Sequence, residues 1–204
     1  NGEGETNRFY ATVHVGPDAA FADKLPDFNK YLRTISAAMK HGKTRSRIAV
    51  YIPNEDMMMR GKLPERLRRP SALYHWEMQY LRFSRKLRGY RPIWISESFL
   101  TETRVETGAL RCGDIEADAL YIDVKWLEYA SLRELVRIVD EGGRIFLGRI
   151  PKQPGTQHNE HYNQKLDRLL AHANLERNLP TEEKLTPLVS GRSVPEFWCR
   201  GDGT

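Results

Sequence analysis

Apolar residues recur along this chain in two rhythms. Phe28, Leu32, Ile35 and Met39 stand four, three and four residues apart, which puts one apolar stripe on a helix that Pro26 opens and Gly42 closes. Leu132, Leu135, Val136 and Val139 draw a second helical stripe, with Ser131 and Glu134 spaced as a capping box and Gly142-Gly143 as a stop. Leu166, Leu169, Leu170 and Ala173 mark a third helix. Between them lie short, nearly continuous apolar runs at residues 47–52, 93–95, 119–123 and 144–148. Runs of that kind suit strands covered on both faces, the habit of parallel sheets. Fainter signals are a strand at Tyr10–Val15, a helix from Ser71 to about Phe83, a β excursion over Gly108–Gly113 and an extended segment over Val194–Arg200.

Helix and strand alternate about four times, and residues 119–148 form a strand–helix–Gly-Gly–strand unit. The expectation is an α/β domain: an open, mostly parallel sheet with helices on both faces, in which the 119–148 unit makes a right-handed connection between parallel strands. A ligand of such a sheet sits beyond the C-terminal ends of its strands. Those ends are Asn54-Glu55-Asp56, Ser96-Glu97, Asp123-Val124-Lys125 and Arg149-Ile150-Pro151.

Composition narrows the classes without naming one. A chain of 204 residues can bury a core without metals or disulfides. The net charge of +5 comes from 32 basic and 27 acidic residues with the acids scattered among the bases, which favours a solvated surface over a nucleic-acid face. No apolar run approaches the roughly 18 residues of a membrane helix. Two distant cysteines, Cys112 and Cys199, make neither a metal motif nor a disulfide framework and leave the compartment open. The sequence opens Asn1-Gly2-Glu3-Gly4 without a signal pattern and closes on half a hairpin at residues 201–204, so a piece of a longer protein is expected.

The candidate chemistry is sparse. Gly142-Gly143 follows a helix, whereas phosphate-cradling glycines follow a strand and open a helix. Neither cysteine sits on a strand–turn–helix elbow. His158 and His161 lie three apart in a polar loop, with no third metal ligand in the pattern. No metal or cofactor is therefore expected. Paired carboxylates at strand ends are the one catalytic option: Glu97 with Glu55 or Asp56, in the manner of a glycosidase. Asn54, Ser96, Trp94 and Trp126 are candidates for ligand or interface contact. Tyr74, Trp76, Tyr80, Tyr90, Trp94, Trp126 and Tyr129 crowd about 55 residues; stacking on sugar faces is one reading, and packing in a core or an interface to a neighbouring domain is the favoured one.

Several segments carry a resemblance by their order. They are Tyr31 to Lys43 followed by Ile48-Ala-Val-Tyr-Ile-Pro53, Gly89-Tyr90 through Ser96, Gly108 to Tyr121, Leu132 to Gly148 with Pro151 in step, and Pro195-Glu-Phe-Trp-Cys-Arg200. Together they resemble the glutamine-amidotransferase-like domain of multidomain glycoside hydrolases, chiefly the α-L-rhamnosidase type and related proteins of Bacteroides-like bacteria. The trimerisation domain of β-galactosidases is a more distant likeness. The resemblance implies a flavodoxin-like, class I amidotransferase-like three-layer sandwich that has lost amidotransferase chemistry. It implies a non-catalytic accessory or scaffolding domain beside a catalytic barrel, in a secreted or periplasmic protein. The sugar-cleaving carboxylates would belong to the barrel, so none is carried onto this chain. Residues 1–24 would extend from a preceding domain, 25–175 would form the amidotransferase-like domain, and 176–204 would be a linker and the first strand of a following β domain. Partners would be those other domains, carbohydrate, or a second copy of the chain. Residues 57–91 depart from the family pattern, as a specialised interface or lid would. The alternatives are a small independent hydrolase built on the strand-end carboxylates, or a carbohydrate-binding module.

Overall fold

Pro26 stands in the first turn of α1 (Leu25–Lys40), where a missing N–H costs nothing, and Gly42 takes the left-handed conformation, φ 68°, just beyond its end. This is the helix expected from the Phe28–Met39 spacing. None of its residues is buried: Phe28 keeps 54% of its surface, Tyr31 59% and Ile35 44%. The computed structural model describes residues 17, 20–59, 82–155, 158–191 and 193–201. Its contacts divide the chain into two compact units, residues 1–42, which hold α1, and residues 43–202. The strand expected at Tyr10–Val15, the helix expected from Ser71 as far as Leu81, and the aromatics Tyr74, Trp76 and Tyr80 lie outside the described residues.

The second unit is a mixed sheet with parallel central strands. In chain order its elements are β1 (Lys43–Tyr51), α2 (Asn54–Met58), a 3-10 turn (Arg85–Tyr90), β2 (Ile93–Ile95), α3 (Glu97–Glu102), β3 (Arg104–Glu106), β4 (Ala109–Cys112) and β5 (Ile115–Ile122). They are followed by α4 (Tyr129–Asp140), β6 (Ile145–Leu147), α5 (Tyr162–Leu170), β7 (Leu175–Arg177) and β8 (Arg200–Gly201). The parallel strands lie in the order β2-β1-β5-β6-β7. Long β5 divides its outer edge: residues 115–117 take β4 antiparallel, and residues 120–122 take β6 parallel. β1 does the same, pairing its first two residues with β8 and its last three with β2.

Alternation along the strands fills two cores. Ala49, Tyr51, Leu120, Ile122, Ile145 and Leu147 face α3, α4 and α5. Ile48, Val50, Ala119, Tyr121 and Phe146 face the other way, against Leu87 and Tyr90 of the 3-10 turn and Leu185 of the late chain. Helices were expected on both faces. Among the described residues the α-helices of this unit cover one face, while the 3-10 turn and residues 179–185 cover the other. Residues 176–201, expected as a linker and the first strand of another domain, give this unit most of β7, the Leu179 and Leu185 packing and β8.

Charged residues run across the sheet at the end where β1 and β5 begin. Arg45 pairs with Glu116 across β1 and β5, Glu116 with Arg111 of β4 at 3.2 Å, and Arg111 with Glu106 of β3. The turn after α4 is a Schellman closure, with Gly143 N–H to Ile138 O at 2.8 Å, Gly142 N–H to Val139 O at 3.0 Å, and φ 96° at Gly142. One local expectation fails. Helix α4 begins at Tyr129 behind Glu128, so Ser131 and Glu134 are no capping box. Ser131 is fully buried inside the helix, and Glu134 pairs with Arg137.

Candidate functional site

The chain leaves β1 through Ile52-Pro53 and turns at once into α2. That single turn sends two neighbouring carboxylates in different directions. Glu55 goes inward. Its Oε1 accepts from the Tyr51 hydroxyl at 2.9 Å, and the same hydroxyl meets Ser131 Oγ of α4 at 3.0 Å. Glu55 Oε2 and the hydroxyl of Tyr162, from α5, are buried without a hydrogen-bond partner. Burial raises the Glu55 carboxyl above the ordinary range. The Tyr51 hydroxyl is also raised, first by burial and then by the Glu55 charge, and Tyr162 follows for the same two reasons.

Asp56 goes outward along the sheet's rim. Its Oδ1 accepts the backbone N–H groups of Lys125 and Trp126, both at 2.8 Å, and its Oδ2 accepts from Lys125 at 2.9 Å. The carboxylate thus ties the segment after β5 to the segment after β1. Trp126 adds a parallel bridge to Lys152, and the Lys125 ammonium lies 5.1 Å from its ring centroid.

Beside this staple stands an ion pair between the ends of β5 and β6. Arg149 Nε donates to Asp123 Oδ1 at 2.6 Å, its Nη2 donates to Asp123 O at 2.6 Å, and Asp56 Oδ2 lies 3.6 Å away. Asp123 and Arg149 keep 43% and 54% of their side-chain surface, so the pair can still meet a ligand. Burial and then the Asp123 charge push the Tyr121 hydroxyl up to about 12. Gly148 lets this group close up, since a Cβ there would stand 2.8 Å from the Tyr121 hydroxyl and 2.9 Å from the Asp123 carboxyl.

A cavity of about 360 Å³ opens at these strand ends, beside α2 and on the face opposite α3, α4 and α5; Trp94, Phe83, Tyr121, Asp123, Arg149 and Arg82 are among its walls. Trp94 stacks on Phe83 with ring centroids 4.3 Å apart. A second hollow of about 460 Å³ adjoins at Tyr121 and runs past Lys86 and Gly148 to Asn178 and Pro180.

The sequence candidates divide accordingly. Asp56 and Trp126 meet through the backbone staple, and Trp94 reaches the cavity. Asn54 opens α2 and Ser96 precedes α3, each half-buried; the Ser96 side chain caps nothing. Glu97 opens α3, and its charge acts on the Tyr51 hydroxyl. Among the described residues no hydrogen bond joins Glu97 to Glu55 or Asp56. Cys112 ends β4, remote in the sheet from these strand ends, with its thiol raised by burial and by Glu102; Cys199 precedes β8, and both thiols are free. His158 and His161 stay in an exposed loop. Strand-end reading located Asp123 and Arg149 but gave no sign that they pair with each other. Tyr51 was legible only as part of an apolar run and Ser131 only as a cap, and Tyr162 carried no signal.

Among the described residues no group of three or more His, Cys, Asp or Glu could hold a metal ion, and no helix is long and apolar enough to cross a membrane. No protein-family model, no curated protein and no solved structure matches the chain.

Proposed function

We propose that the chain is a non-catalytic accessory domain of a larger glycoside hydrolase, secreted or periplasmic, and that its role is to scaffold the domains beside it. One observation carries the reading. The carboxylates best placed for strand-end chemistry are already spent on structure, Asp56 on the Lys125 and Trp126 amides and Glu55 on the buried Tyr51 hydroxyl. A hydrolytic pair needs one carboxylate free to attack or to activate water, with an acid facing it across the scissile bond.

Two features support the finer assignment. The parallel strands follow the order second-first-third-fourth-fifth, the arrangement of flavodoxin-like sheets. The amidotransferase-like sandwich implied by the sequence resemblance is a domain of that kind. Helix α1 also presents Phe28, Tyr31, Leu32 and Ile35 to solvent, flanked by Lys30, Arg33 and Lys40. An apolar stripe with basic margins fits an acidic-rimmed surface on a neighbouring domain of the same polypeptide.

The test compares glycosidase activity of this chain with that of the full polypeptide its gene encodes. The chain alone is expected to cleave no glycoside. The full polypeptide is expected to cleave one, and to lose thermal stability when Ile35→Asp is introduced. Hydrolysis by the isolated chain that disappears in Glu97→Gln would overturn the reading, as would a full polypeptide lacking any hydrolase domain.

A further inference from the structure

The strand-end cavity has a chemistry that scaffolding does not use. Asp123 and Arg149 offer an acceptor and a donor side by side on a half-open surface. Adjacent hydroxyls of a sugar ring each need one of both, so a locked carboxylate–guanidinium pair suits a vicinal diol. Its donor and acceptor are fixed in advance by the Tyr121 and Asp56 contacts, which lowers the ordering cost of binding. The stacked Phe83 and Trp94 supply an apolar wall, against which the C–H face of a ring can pack.

Charge then narrows the ligand. The exposed cations Arg82 and Lys86 line the two hollows on either side of Tyr121 and form no ion pair among the described residues. Counting these two with Arg149 against Asp56 and Asp123, the described residues give the crevice three positive and two negative side chains. A surplus positive charge at a concave site attracts an anion. The volume of about 360 Å³ lies near the bottom of the roughly 300–1,000 Å³ range of ligand cavities, which suits one or two sugar rings.

We propose that this crevice binds a small anionic sugar. The ring lies against Trp94, its hydroxyls meet Asp123 and Arg149, and its charged group lies between Arg82 and Lys86. The inference does not depend on a parent glycoside hydrolase, and the two can fail separately. A carboxylate, a phosphate ester or a sulfate ester would supply the same charge, and the probes separate them.

The experiment titrates the 204-residue chain with glucuronate, glucose 6-phosphate, glucose 6-sulfate, glucose and inorganic phosphate. Calorimetry and the Trp94 indole NMR signal report binding. At least one sugar anion is expected to bind tenfold or more tighter than glucose and than inorganic phosphate, and to move the Trp94 signal. Arg82→Ala with Lys86→Ala, both at exposed positions, should remove at least tenfold of that affinity while leaving the melting temperature unchanged. Asp123→Asn should weaken glucose and sugar anion alike. Four results would overturn the proposal: no sugar anion binds, glucose binds equally well, inorganic phosphate binds as tightly as the sugar anion, or the cation variants bind unchanged.

Discussion

The hydroxyl of Tyr51 donates to Glu55 Oε1 over 2.9 Å inside the core, joining the last residue of β1 to the first turn of α2. Having given its proton to Glu55, it is free to accept from Ser131 Oγ in α4. Three elements therefore share one phenolic oxygen. Tyr51→Phe would leave a buried carboxylate oxygen and a buried serine hydroxyl without this partner. A loss of about 1–3 kcal/mol is expected, the usual cost of orphaning buried polar groups. Urea unfolding of the two proteins measures it, and equal midpoints would show that the hydroxyl contributes nothing.

The same carboxyl makes stability depend on pH. Burial holds the folded-state Glu55 pKa above its ordinary value of 4.5. As pH rises past that value the unfolded chain releases its proton while the folded chain retains one. The native state then binds more protons, and Glu55's contribution to stability falls with rising pH through the window between the two values. Glu55→Gln keeps the acceptor for Tyr51 and removes the titration. Its unfolding free energy should fall less between about pH 4.5 and neutrality than that of the parent chain, by the Glu55 part of the slope. Parallel curves for the two proteins would count against the raised carboxyl.

Asp56 makes a prediction about the backbone. In Asp56→Ala the N–H groups of Lys125 and Trp126 lose their shared acceptor, and Arg149 loses a neighbouring negative charge. About 1–3 kcal/mol of stability should go, with faster hydrogen exchange at those two amides. Unchanged exchange at Lys125 and Trp126 would mean that the staple does not hold the rim.

Two glycines should respond oppositely to a methyl group. At Gly143 a Cβ would stand 2.6 Å from Ile138 Cγ2 and 2.9 Å from Leu110 Cδ2, so Gly143→Ala must push α4 and β4 apart, at about 1–3 kcal/mol. At Gly155 nothing among the described residues lies within 4 Å, and Gly155→Ala should stay within about 0.5 kcal/mol of the parent. Thermal melts of the pair, run side by side, check both.

What the sequence disclosed follows the reach of each interaction. Ile48–Tyr51 and Leu120–Ile122 were legible as strands because burial on both faces leaves an unbroken apolar run. Gly142-Gly143 was legible as a stop because Gly142 needs a positive φ and Gly143 needs room. Helix α3 and strand β3 escaped because six and three residues are too few to show a period. Ser131 and Glu134 misled for a different reason: three residues separate a capping pair, and equally two positions on one side of a helix already under way. At the rim, carboxylates could be placed at strand ends, but the role of Asp56 was set by partners about 70 positions away and that of Asp123 by Arg149, 26 positions on. Local pattern holds no record of such partners. Glu55 and Asp56 are neighbours of the same chemical kind, and the turn of α2 alone decides which is buried.

Strand β8 lies antiparallel on the start of β1, with Gly201 opposite Lys43 and Arg200 opposite Thr44. The second compact unit thus receives and releases its chain at adjacent points, about one strand spacing, or roughly 5 Å, apart. A host protein could open a single surface loop and splice the whole unit in there without stretching either splice point. The same closeness means that joining residue 201 to residue 43 by a short linker, and cutting at the exposed turn Thr107-Gly108, should yield a circular permutant that still folds.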